Sequence, residues 1–274
     1  MNKIKFASII TAVALATSIG AVAAKPDEKE PKQHFRLPEN AVEIEPNVFA
    51  LGTARDTDGS LVEGYAFVHP KYENGKYGKG SGPKGGGTTC YAFLASGAKW
   101  KSVEPYLFNP ANTDSFDEAT AALQLAAGIT EWEKNVSPDI ISAGTVTSDP
   151  LSAESVTPDG LNEVFFAQLD DTSTIAVTIT WGVFGGPPQN RKLVEWDMVF
   201  NDPDYAWGDV VATGNTALMD FQNIATHELG HAIGMGHPSD SCVEETMYRF
   251  GSNGEIKKRD LNTGDIAGIK KLYQ

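Results

Sequence analysis

The 274-residue chain has only two cysteines, Cys90 and Cys242. That is too few for a disulfide scaffold, and they lack the paired spacing of a cysteine zinc site. Basic residues are also outnumbered, with 22 Lys and Arg against 36 Asp and Glu and a formal net charge of −14. So acidic a chain repels nucleic acid and anionic membrane surfaces, which argues against both as partners. After the first two dozen residues no apolar run is long enough to span a bilayer. Hydrophobic residues still make up 41% of the chain, enough for an ordinary globular core.

The one long apolar run lies at the start. Lys3 and Lys5 precede an uncharged stretch from Phe6 to Gly20, and Ala21-Val22-Ala23 gives a small-x-small pattern. This is the layout of a secretory signal peptide over residues 1–23. The alternative is an uncleaved anchor, for which the run is short and rich in Ser, Thr, Ala and Gly. The expectation is a secreted or extracellular protein, or one on the exterior of the cell envelope, with no stable membrane insertion after cleavage. In an oxidising compartment two cysteines most simply form one disulfide.

Residues 24–87 read as an N-terminal segment. Within it NVFALGTARDTDGSLVEGYAFVHP suggests two strands joined at Asp58-Gly59. YENGKYGKGSGPKGGG, residues 72–87, is rich in Gly and Lys and reads as a linker. The remainder, 88–274, has the length of one domain. Ser115-Phe116-Asp117-Glu118 looks like a capping box, followed by Ala122, Leu125, Ile129 and Trp132 at helical spacing. A second helix is expected from about Thr216, with Phe221, Ala225 and Leu229 as its apolar stripe. A third is expected at the end, with Thr263 as cap and Ile266, Ile269 and Leu272 packing. Strands fit CYAFLASGAKW, VFFAQL, TIAVTITWGVF and KLVEWDMVF. In the third, Ile175, Val177, Ile179 and Trp181 alternate with threonines.

The chain's five histidines are unevenly spread: none lies between 70 and 226, and three fall within THELGHAIGMGHPSD, residues 226–240. On a helix, residues four apart sit one above the other, so His227 and His231 share a face and can grip one metal ion. Glu228 follows directly and can reach a water on that metal as general base. His237 lies six residues beyond His231. A continuing helix would carry it to the wrong face, so the helix must end first, and Gly234 stands where that break is needed. Three protein ligands leave a fourth position open, as in catalytic zinc sites. Average composition yields the five fixed positions on the order of once in 10⁵ chains, which weighs against satisfied surface histidines. His34 and His69 read as surface residues.

This pattern resembles the metzincin zinc endopeptidases, whose motif is carried here by His227, Glu228, His231, Gly234 and His237. Glu245-Thr246-Met247-Tyr248 looks like the family's methionine turn, with Met247 under the metal. Within the metzincins the resemblance is to matrixins: Met247-Tyr248 adjoin, LNTGDIAGIKKLYQ resembles their C-terminal helix, and WDMVFND with Asp197 their strand before the zinc helix. The resemblance covers roughly 88–274 and is strong from about 194. It implies an α+β, zincin-like catalytic domain with a twisted mixed sheet, a zinc-binding helix, a Met-turn and a C-terminal helix. It implies a zinc endopeptidase with one catalytic Zn2+, cutting a protein or peptide laid along an edge strand; a monomer is expected. The rival is an inert metal-holding adhesion module, against which Glu228 speaks.

The chain departs from matrixins in places. Pro238 follows the third histidine, Arg249 stands where many have a pocket-wall proline, and the structural zinc of animal matrixins has no ligands here. Ca2+ is a further candidate ion, with Asp202, Asp204 and Asp209 as an acidic patch for which a solvated loop is the favoured reading. Animal matrixins are kept inactive by a propeptide cysteine on the zinc. Cys90 sits in GGTTCYAFLAS without that context, so a disulfide to Cys242 is the favoured reading and a latch the other. Residues 25–87 are then a prosegment or chaperone, or else a fixed accessory domain.

Overall fold

The computed structural model describes residues 33–72 and 89–274. The expected signal peptide and nearly all of the expected linker lie outside these residues. The strands are β1 His34–Phe35, β2 Val42–Glu45, β3 Val48–Arg55, β4 Leu61–Pro70, β5 Ala92–Phe93, β6 Leu107–Asn109, β7 Thr145–Val146, β8 Glu163–Leu169, β9 Thr174–Val183, β10 Lys192–Asn201, β11 Trp207–Gly208, β12 Met219–Asp220 and β13 Met235–Gly236. The helices are α1 Glu118–Glu133, α2 Val210–Thr213, α3 Phe221–Ala232 and α4 Thr263–Tyr273.

One mixed sheet organises the molecule, in the order β2-β3-β4-β9-β10-β8-β6-β7, with β1 also on β8. The β7, β6, β8 and β10 strands run parallel, while β9, β4, β3 and β2 alternate antiparallel. This is the α+β class expected. The Asp58-Gly59 turn closes the β3–β4 hairpin, with Asp56 N–H donating to Ser60 O at 2.9 Å. The hairpin does not stand apart: β4 continues the body's sheet along β9, from Glu63↔Gly182 to Pro70↔Thr174. Residues 33–72 and 89–274 belong to one compact unit.

Two cores flank the sheet. The larger packs α1 and α3 on one face, where Phe108, Phe166, Phe200, Trp207 and Phe221 cluster. Each such buried aromatic contributes about 1.5–3 kcal/mol of transfer free energy. The smaller core, on the other face, holds Val62, Ala66, Phe165, Val177, Ile179, Trp181 and Val199. Val177, Ile179 and Trp181 of β9 therefore pack together as the alternation implies, whereas Ile175 joins the larger core, and the threonine side is buried as well, beneath α3.

Several boundaries differ from expectation. α1 is capped by Asp117, whose carboxylate accepts from Thr120 N–H at 2.8 Å. Ser115 has a left-handed φ of 59°, incompatible with a place at the helix entrance. α3 starts at Phe221, because Met219–Asp220 pairs with Trp207–Gly208 and Asp220 then caps the helix. Asn262, in a capping box with Asp265, replaces Thr263 as the cap of α4. The strand expected over 90–100 shrinks to Ala92–Phe93, because the chain turns at Ala95–Ala98.

Candidate metal centre

Two buried tryptophans set the position of α3. Trp132 Nε1 donates to Thr226 O and Trp100 Nε1 to Ala232 O, each at 2.8 Å. The helix presents His227, Glu228 and His231 toward β9, all three with no solvent exposure. It ends at Ala232. Gly234 then takes φ +99°, open to glycine at no steric cost, and a Cβ there would come within 2.7 Å of Ala98 O. The turn leads into β13 and returns His237 to the other two histidines.

The three imidazoles converge. Ligand atoms of His227, His231 and His237 all lie within 4.8 Å of one another, and His231 Nε2 sits 3.1 Å from His237 Nε2. Backbone carbonyls fix two tautomers. His227 Nδ1 lies 2.7 Å from Thr246 O and His231 Nδ1 2.9 Å from Met235 O. A carbonyl only accepts, so both Nδ1 atoms carry the proton and both Nε2 lone pairs face inward. His227 Nε2 is buried without a hydrogen-bond partner. Burial holds all three histidines below their usual pKa, His231 at about 3, and keeps them neutral. Three neutral imidazoles aimed at one point, one of them an orphaned acceptor, fit a borderline cation such as zinc.

Met247 lies beneath this cluster, fully buried, against α3 at Gly230; a Cβ on Gly230 would overlap its Sδ. Asp265 at the start of α4 holds the turn, accepting from Thr246 N–H at 2.6 Å and Met247 N–H at 3.2 Å. Cys90 and Cys242 are joined in a disulfide, which ties the chain before β5 to the loop between His237 and Met247. No described cysteine is free, so Cys90 is not a thiol latch.

The C-terminal part of the chain is similar to known proteins. Residues 164–274 match the matrixin family model. Over these residues the chain is similar to matrixins. The chain is 43% identical over 72 residues to matrilysin of Homo sapiens, covering 26% of this chain and 25% of that protein. It is 39% identical over 75 residues to metalloendoproteinase 1 of Glycine max, covering 26% and 24%. With metalloendoproteinase 2-MMP of Arabidopsis thaliana it shares 44% over 59 residues, 21% and 15% of the two chains. The matched stretch thus spans about a quarter or less of each relative.

The histidine cluster meets an element that the motif did not foreshadow. His69 is not a surface residue. It projects from β4 into the site with 1% exposure, its Nδ1 2.8 Å from Glu228 Oε1 and its ring 4.0 Å from that of His227. His69 Nε2 lies 3.2 Å from the ammonium of Lys258, itself fully buried and bonded to Tyr248 O at 2.5 Å and Phe250 O at 2.8 Å. An ammonium only donates, so Nε2 accepts and Nδ1–H donates to Glu228. Thr178 on β9 donates to the other carboxylate oxygen at 2.6 Å. Burial raises Glu228 to about 8 and lowers Lys258 to about 8. Sequence reading missed Thr178, Lys258 and Asp265; the alternating threonines of β9 were the nearest signal. His34 is exposed, paired with Asp170.

A second cluster lies at the start of β8, beside the middle of β10. Oxygens of Glu154, Asp159 and Glu163 converge, as do those of Glu154, Glu195 and Asp197. Glu154 Oε2, Glu163 Oε2 and Glu195 Oε1 are buried without partners. Burial, then mutual repulsion, raises Glu163 to about 7; burial also dominates in lifting Glu195 to about 8 and Asp197 well above the ordinary range. The acidic patch picked out by sequence is elsewhere and does not converge. Asp202 accepts from Thr113, and Asp209 caps α2 and pairs with Arg259 at 2.7 Å.

Proposed function

We propose that the chain is a secreted zinc endopeptidase with His227, His231 and His237 as metal ligands and Glu228 as general base. The observation that carries this reading is the carboxylate of Glu228 beside three neutral, inward-facing imidazoles. Zinc bound there supplies Lewis-acid polarisation of a scissile carbonyl and acidifies a water. The Glu228 carboxylate would accept a proton from the attacking water and return it to the leaving amine. Thr178 orients one oxygen and leaves the other for the proton. The carbonyls of Thr246 and Met235 hold the imidazole tautomers, and Met247 supports α3 from below. An extended peptide or protein would pair with the sheet at β9. The N-terminal layout of residues 1–23 supports export, and no helix among the described residues is long and apolar enough to cross a membrane.

The test is Glu228→Gln in the zinc-loaded chain. It should retain one zinc and lose peptide hydrolysis by about 10²–10⁴-fold. Undiminished turnover would remove Glu228 from its role, and turnover insensitive to zinc chelation would remove the metal. We also propose that Glu154, Asp159, Glu163, Glu195 and Asp197 hold a divalent cation. Hard carboxylate oxygens, several of them buried and unpartnered, suit calcium.

A further inference from the structure

We infer that β4 is a built-in occupant of the substrate edge, which makes the described N-terminal strands an autoinhibitory segment latched by His69 on Glu228. The inference rests on the peptidase reading of the histidine site and adds its regulation. Without residues 33–72, β9 would be an edge strand of the sheet. Its free N–H and C=O groups would be the natural partners for an extended peptide. In this structure β4 takes that place, antiparallel and in unbroken register from Glu63 to His69, with Phe67 opposite Thr178 and His69 opposite Ala176.

The side chains complete the occlusion. Phe67 stacks on His231 with ring centroids 3.9 Å apart and meets the His237 ring edge-on at 6.0 Å. His69 takes the Glu228 oxygen that a water would need, and Thr178 holds the other. Catalysis on a polypeptide requires the base to meet both water and substrate, yet Glu228, His227 and His231 have no solvent-accessible surface. The strand is fastened at its end too. Lys258 binds His69 while holding the carbonyls of Tyr248 and Phe250, and Gly251 exchanges backbone hydrogen bonds with Pro70 and Tyr72. Cys90, tied to Cys242, has no part in it. The block therefore sits on the base and on the substrate edge rather than on the metal.

The experiment compares the zinc-loaded full chain with two variants, using two readouts. The first variant is Phe67→Ala with His69→Ala. The second, Gly64→Ile, leaves the site untouched but drives a side chain into Trp181, whose ring atoms lie 2.7 Å from where a Cβ would stand. The readouts are affinity for a zinc-chelating peptide hydroxamate and hydrolysis of a quenched fluorescent peptide. Zinc content, circular dichroism and intact mass are measured alongside, and if the first variant does not fold, the second decides. The expected result is at least a tenfold gain in hydroxamate affinity and in hydrolysis over the intact chain, at equal zinc. Equal affinity in the intact chain and a folded variant would overturn the inference. Equal hydrolysis in all forms would do so as well, while leaving the peptidase reading standing. A gain in hydroxamate affinity with no hydrolysis by any form would uphold the occluding strand and sink the peptidase reading instead.

Discussion

Glu228 shows how one side chain can be defined by three elements that are remote in sequence. Helix α3 carries it, Thr178 of β9 fixes one oxygen, and His69 of β4 takes the other. Only the helix is local, so only the motif was visible in the chain. Gly230, between Glu228 and His231, illustrates a different constraint. Its lack of a side chain lets Met247 and Trp132 close on the helix. Gly230→Ala should destabilise the fold by about 1–3 kcal/mol through overpacking, despite alanine's better helix propensity. Urea unfolding would check this; a variant as stable as the parent would mean that Met247 moves aside without cost.

Helix α3 and the Met247 turn depend on their attachments. The Cys90–Cys242 bond links positions 152 residues apart and fixes the loop between His237 and Met247. Replacing both cysteines with alanine should cost about 2–4 kcal/mol, chiefly by freeing the unfolded chain. The same denaturation measurement on the oxidised and double-alanine forms tests it, and equal midpoints would contradict it. Helix periodicity marked α1, α3 and α4, whereas their first residues followed from partners elsewhere. Asp220, for example, caps α3 while binding Arg259 and the Val210 N–H.

At the scale of the whole molecule, the carboxylate cluster around the start of β8 makes stability depend on pH, and the cation proposed there would add a dependence on calcium. Glu195 at about 8 and Glu163 at about 7 bind protons more tightly folded than unfolded, against an ordinary value of 4.5. Their contribution is therefore full below about pH 4.5 and is lost as pH rises through 7 to 8. A bound cation would replace those protons. The zinc-loaded, calcium-depleted chain should melt at lower temperature at pH 8 than at pH 5, and calcium should abolish most of that difference. Saturation at 100 times Kd corresponds to about 2.7 kcal/mol. If calcium leaves the melting temperature at pH 8 unchanged, the cluster is not a cation site.

The amino-acid sequence alone determined the shared face of His227, Glu228 and His231, the break at Gly234 and the class of fold, because helical spacing and a handful of fixed residues encode them locally. His227, Glu228 and His231 share a face wherever their helix lies. The alternation of β9 announced a strand with one apolar side but not what would cover its threonines. Tertiary structure decided that α3 covers them, that β4 lies along the same strand, and that His69 and Lys258 enter the site. His69 precedes Glu228 by 159 residues and Lys258 follows His69 by 189. No periodicity spans such distances; the pairing of β4 with β9 and the return of the chain past Met247 bring them together.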